Sequence, residues 1–189
     1  MRKFLFLAIA LAALLGPLGV SAADHRDTSV FTTPGQTIKW DYQSDKLNRN
    51  RKSEATLFLS DNARPDDLTV VFWFHGCNGY SERTFKTRLD RQFARLRQMN
   101  HSYAVVIPEL YWSKNTTTRC GRQSKSFRKK NDLVNFVNSS LSKINYLLSK
   151  KGKLLIESPR IVFVGHSAGG SVFKATAISG DLCKINPDY

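Results

Sequence analysis

The run Ile161-Val162-Phe163-Val164-Gly165-His166-Ser167-Ala168-Gly169-Gly170 constrains the fold of this chain more than any other segment. Its first four residues are apolar and three are β-branched, which predicts a short buried strand, and Pro159 closes off what precedes it. The strand runs directly into Gly-x-Ser-x-Gly. Beyond the glycines, Val172, Phe173, Ala175, Thr176 and Ile178 fit a helix that stops at Gly180. A turn this sharp compresses the backbone at Ser167 and holds it in a strained conformation with its hydroxyl clear of the chain. Gly165 and Gly169 are expected because side chains there would collide with the adjoining strand or helix, and Gly170 because the helix must start close to the sheet. The helix N-terminus then directs amides and a partial positive charge at the turn, an arrangement suited to a developing oxyanion. Ser167 is the candidate nucleophile.

A second motif has the same construction. Val70-Val71-Phe72-Trp73-Phe74 predicts another buried strand, which delivers His75-Gly76-Cys77-Asn78-Gly79 before Ser81 opens a helix. This His-Gly-x-x-Gly resembles the oxyanion loop of esterases and lipases of the α/β-hydrolase superfamily. The order of the two motifs along the chain is also that of the family, and the resemblance covers residues 68–180. It implies that Ser167 is the catalytic nucleophile and that the N–H of Ala168, with one from the Gly76, Cys77 and Asn78 turn, binds a tetrahedral oxyanion. It implies an ester or amide substrate and needs neither a metal nor a cofactor. The family's acid and histidine map onto nothing here, because both would lie beyond residue 189.

The remaining elements fit an α/β architecture. Thr37–Tyr42 alternates Ile38, Trp40 and Tyr42 on one face, and Ala55–Ser60 is expected to pair with it as an antiparallel edge. Leu68–Phe74, apolar on both faces, and Tyr103–Ile107 predict central parallel strands. Ser81–Met99 predicts an amphipathic helix with Phe85, Leu89, Phe93 and Leu96 inward. Asn131–Lys150 predicts a second, with Leu133, Val137, Leu141, Ile144 and Leu148 inward. Alternating strands and helices imply a three-layer α/β/α sandwich with a mostly parallel sheet and right-handed crossovers. Its ligands should bind at the carboxyl ends of the strands, where both glycine loops emerge. By the resemblance, the family's C-terminal strands are missing.

The first residues are read as a leader. Arg2 and Lys3 precede the apolar Phe4–Leu15, Gly16-Pro17 breaks that run, and Val20-Ser21-Ala22 is a small-x-small cleavage site. The expectation is a signal peptide over 1–22, a single domain over 23–189, and a secreted or periplasmic protein with no transmembrane anchor. Three cysteines in an oxidising compartment invite pairing. In the family the loops carrying Cys77 and Cys120 leave neighbouring strands on one edge, so the resemblance implies a Cys77–Cys120 disulfide and leaves Cys183 odd.

The formal net charge of the whole chain is +14. Arg119, Arg122, Lys125, Arg128, Lys129 and Lys130 fall in one acid-free stretch, and Arg88, Arg91 and Arg95 share a helix face. A solvated cationic face accounts for them most simply; attraction to an anionic polymer or an acidic substrate is the alternative. No nucleic-acid fold signature accompanies the charge, so a nucleic-acid partner is not expected.

A serine nucleophile needs a base, normally histidine. Of the four histidines, His25 lies in the expected tail, His101 at the edge opposite the nucleophile, His75 in the oxyanion loop, and His166 beside Ser167, pointing away from its approach. Asp181 and Asp188 lie too near the elbow helix and the chain end for the triad acid. The ending Lys184–Tyr189 reads as the entry to a further strand, which favours a truncated enzyme. The reading from sequence is therefore an exported serine hydrolase impaired by loss of its acid and histidine. The alternative is a non-catalytic cationic binding protein of the cell envelope built on the same scaffold.

Overall fold

A computed structural model of the chain describes residues 35–42, 54–76, 89–110 and 126–185. The leader, Cys77, Asn78, Cys120 and the first half of the helix expected over Ser81–Met99 lie outside the described residues. The Cys77–Cys120 pairing lies outside them as well.

Five strands form one sheet: β1 (Gly35–Asp41), β2 (Glu54–Ser60), β3 (Thr69–Phe74), β4 (Tyr103–Pro108) and β5 (Arg160–Gly165). Their order is β1-β2-β4-β3-β5. Strand β3 pairs in parallel with β4 and with β5, in registers that set Val70 opposite Ala104 and Ile161. Strand β2 runs antiparallel to β1, as expected, and also antiparallel to β4. Parallel and antiparallel pairings are thus equally represented, and the sheet is mixed. The cause is the β2–β3 connection over 61–68, which is too short for the helical crossover that a parallel partner needs. The β3–β4 and β4–β5 connections do carry helices.

Those helices are α1 (Asp90–Gln98) and α2 (Asp132–Lys150); a 3-10 turn (Ser167–Gly170), α3 (Ser171–Ser179) and the short α4 (Asp181–Ile185) follow β5. Period-two alternation in β3 decides which helix sees which side chain. Val70, Phe72 and Phe74 are fully buried in the cluster shared with α2 and Val172 of α3. Val71 and Trp73 face the other way, against Leu89, Phe93 and Leu96 of the α1 segment. The sheet is therefore covered on both sides, as a three-layer sandwich requires. Among the described residues, no helix is long and apolar enough to cross a membrane.

The buried face of α2 is wider than expected. Leu133, Val137, Ile144 and Leu148 are buried as the spacing predicts, but so are Phe136, Ser140 and Leu147, while Leu141 is only partly covered. A helix lying on a sheet buries a double stripe, not one i, i+4 line. Phe136 is the hub, with ring centroids 4.8 Å from Tyr42, 5.1 Å from Phe127 and 5.8 Å from Phe72. Ser140 is tolerated there because its hydroxyl donates to the Phe136 carbonyl at 2.7 Å.

Asp181 has a structural role that spacing alone does not reveal. Its carboxylate is fully buried and accepts from the backbone N–H of Asn131 at 2.8 Å and of Leu133 at 3.1 Å. These are free donors at the start of α2, where Asn131 has left-handed φ 71° and makes no side-chain cap. Asp181 therefore caps α2 from the start of α4, just beyond the elbow helix, and ties the two together. Asp181→Ala is expected to cost about 2–3 kcal/mol, because two donors lose a charged acceptor. A denaturant midpoint unchanged in that variant would show that the cap carries no weight.

Candidate active site

The strand-to-helix turn is as tight as its glycines imply. After β5, His166 is still extended, and its N–H donates to the Phe74 carbonyl at 2.9 Å, carrying the β3–β5 ladder past the strand end. Ser167 then takes left-handed φ 55°, and the Gly169 N–H closes the turn on the His166 carbonyl at 2.9 Å. A non-glycine residue in that region costs on the order of 1–2 kcal/mol, and it persists where the surroundings over-determine it. Ser167 is exposed and Ala168 half-buried. The exposed serine at positive φ is the geometry that a nucleophile elbow needs.

The glycines differ in what they permit. A Cβ on Gly169 would run into the Phe74 carbonyl oxygen and lie 2.7 Å from that of His75. One on Gly165 would lie 2.6 Å from the Phe173 ring and 2.9 Å from the Gly170 Cα. Gly170 itself faces open space, contrary to the expectation that it is needed for close packing. The tight approach belongs to its backbone, and Gly165 is the residue whose missing side chain permits it.

The two motifs meet at Gly76. A Cβ there would be 3.1 Å from both the His166 carbonyl oxygen and the Ser167 Cβ. Parallel pairing of β3 and β5 causes this, since it brings both strand ends to one edge. Gly76 and Ala168, two of the four residues expected at the oxyanion site, are thus brought to Ser167. The other two, Cys77 and Asn78, lie outside the described residues.

His75 holds this junction together. Its ring is buried, Nε2 accepts the Leu110 N–H at 3.1 Å, and Nδ1 lies 2.7 Å from the Gly76 carbonyl oxygen. Acceptance at Nε2 leaves the proton on Nδ1, which donates to Gly76. Burial holds the imidazole pKa below its ordinary value, outweighing the opposing Gly76 bond. The Glu109 carboxylate, 3.9 Å from Nε2, would form an ion pair only with the protonated ring. Because the unfolded chain binds this proton more readily, stability is expected to be full above pH about 6.5 and to fall as the pH drops below it. Melting temperatures measured from pH about 7.5 to about 5 should fall more steeply for the native chain than for His75→Gln. Parallel slopes would contradict this assignment.

The other histidines are placed differently. His166 is exposed, and its ring stacks on Trp73 at 6.2 Å and 17°. This contact was missed in the sequence, although alternation along β3 already turns Trp73 to the face opposite Phe72 and Phe74. His101 precedes β4, at the sheet edge opposite the elbow, as expected. Of the basic stretch, Arg128, Lys129 and Lys130 are described and exposed, as are Arg91 and Arg95 on α1. Cys183 is an exposed free thiol.

The strand order, the antiparallel β2, helices on both faces and the turn after β5 together decide the fold. It is α/β-hydrolase-like. No family model matches the chain, and no curated protein matches it. Among solved structures it is similar to an S-formylglutathione hydrolase from Agrobacterium tumefaciens, at 15% identity over 78% of this chain and 55% of that one, with a TM-score of 0.44. An esterase from Pyrobaculum calidifontis is 14% identical over 82% of this chain and 41% of that one, TM-score 0.41. A ferulic acid esterase from Anaeromyces mucronatus is 16% identical over 78% and 53%, TM-score 0.37. The chain spans about half the length of these structures. Likeness at this level carries nothing about activity, and the fold stands on the strand order and the turn.

Proposed function

We propose that the chain is a serine hydrolase of ester or amide bonds, with Ser167 as the nucleophile. The observation that carries this reading is an exposed serine held at φ 55° between a parallel strand and a helix, with Gly76 packed against it. In this reading Ser167 Oγ attacks the substrate carbonyl carbon, and the Ala168 N–H with one from the Gly76–Asn78 turn holds the oxyanion. Collapse of the tetrahedral species expels the alcohol or amine, and water then releases the acid from the acyl-enzyme. The basic stretch around Arg128 suits an acidic substrate, and residues 1–22 suit export.

The base is the weak part. His75 is committed to Leu110 and Gly76, His166 is stacked on Trp73, and Asp181 caps α2. The 189-residue chain is therefore proposed to be impaired, retaining only what the turn and the oxyanion donors provide, on the order of 10³-fold over water. Hydrolysis of a short nitrophenyl ester tests this. Turnover should be slow and should rise in the native chain when free imidazole supplies a base, and that imidazole-dependent rise should be lost in Ser167→Ala, which keeps only the background from the oxyanion donors. Folded protein with no Ser167-dependent turnover, together with salt-sensitive binding to anionic polymers, would favour the cationic binding protein instead.

A further inference from the structure

The sheet edge opposite Ser167 carries a surface that the hydrolase reading does not use. The N-terminal ends of β3, β4 and β5 share this edge because the three strands are parallel. The loops entering them are bonded to one another: Thr69 N–H to Ser102 O at 3.1 Å, Arg160 N–H to Leu68 O at 2.9 Å, and the Lys153 ammonium to the Ala63 carbonyl. Among the described residues, three of the five large apolar side chains that stand in solvent lie here. Leu154 is 83% exposed, Leu155 59% and Met99 68%. Leu154 and Leu155 are consecutive in the chain, and contiguous exposed apolar surface, unlike single scattered side chains, marks a contact surface.

The local charge defines the partner. Asp61 is held by Arg97 in a two-bond pair, both at 2.9 Å, and Asp67 by Arg64 at 2.9 Å. Asp66 and Glu157 add two further acids at this edge, and against them Lys150, Lys151, Lys153 and Arg160 leave a local excess of positive charge of about two. Burial and then the charge of Lys153 hold the Lys151 ammonium below the ordinary lysine range, with Asp61 acting the other way, so an arriving anion would relieve crowding. The loop also has a fixed base. Gly152 turns the chain at φ 66° after α2, the Ile156 N–H donates to Asn145 Oδ1 at 2.9 Å, and the Ile156 side chain packs on the core. Leu154 and Leu155 are therefore presented on a firm support.

We infer that the segment Lys150–Leu155 docks the protein on an anionic phospholipid surface, the leucines entering the interface and the lysines meeting the headgroups. Protruding leucines flanked by lysines fit a fluid interface, where apolar burial and charge attraction add. The arrangement leaves the elbow edge turned away from the membrane.

Vesicle co-sedimentation tests this, with hydrogen exchange over 150–156 as a second readout that is blind to any contribution from residues 1–22. The native chain should bind vesicles rich in phosphatidylglycerol, more weakly at high salt, with exchange over 150–156 slowed. A Leu154→Ser, Leu155→Ser double variant should lose about tenfold in affinity. Lys150→Gln with Lys151→Gln should lose a similar factor. Neither pair should change the melting temperature by more than a few degrees, since Lys150 and both leucines stand in solvent and Lys151 is only partly covered. Equal binding to phosphatidylcholine vesicles, or binding indifferent to the leucine pair, overturns the proposal. So does binding to heparin through the same lysines without binding to vesicles, which would make the partner an anionic polysaccharide.

Discussion

Gly169→Ala is expected to lower the stability of the chain by about 3 kcal/mol or more, since its Cβ would make the closest backbone clash of any described glycine. The added carbon would meet the carbonyl oxygens of Phe74 and His75, which are backbone atoms at the end of a central strand and cannot swing away. Relief would require the elbow to move off β3, breaking the His166–Phe74 hydrogen bond and the contact between Gly76 and Ser167. Gly165→Ala should cost less, about 1–2 kcal/mol, because its first obstacle is the edge of the Phe173 ring. Gly170→Ala should be neutral or stabilising by about 0.5 kcal/mol, since it has open space and helical backbone. Denaturant midpoints for the three variants give the comparison directly. A Gly170 variant as damaged as the Gly169 variant would mean that the turn is packed differently from this account.

The graded glycines also show where sequence reasoning reaches its limit. Gly-x-Ser-x-Gly between a β-branched run and a helix made the turn, its strain and two of its glycines legible, because each follows from local geometry. Gly170 was misjudged because the direction in which its missing side chain would point depends on how the helix leaves the sheet. The central strands were legible from their apolar runs, while the direction of β2 against β4 was not. Ala55–Ser60 has the composition of either kind of strand, and the short 61–68 connection was the available clue. Phe136 and Leu147 escaped a single-stripe reading of α2. His75 and Asp181 needed tertiary structure altogether, for their partners lie 35 and 48–50 residues away in the chain. In both cases a histidine or acid weighed for the triad proves to be occupied in holding two elements together.

That occupation bears on the second large effect, the loss of all acylation on removing the Ser167 hydroxyl. The turn presents the serine, but His75 and Asp181 hold backbone donors, so neither is available to activate it. Acylation by a reactive phosphonyl fluoride should therefore be slow and yet confined to one residue. Ser167→Ala should abolish it. Ser167→Gly should abolish it too, and it is the cleaner variant, because glycine suits φ 55° and preserves the turn. Its melting temperature should match or slightly exceed that of the native chain, separating loss of chemistry from loss of fold.

The most direct measurement is the mass of the intact protein after exposure to a fluorophosphonate, with the adduct located by peptide mapping and its rate followed with and without imidazole. A single adduct on Ser167 is expected, formed faster with imidazole and absent from both Ser167 variants. An adduct on another residue, or one forming at the same rate in Ser167→Gly, would contradict it.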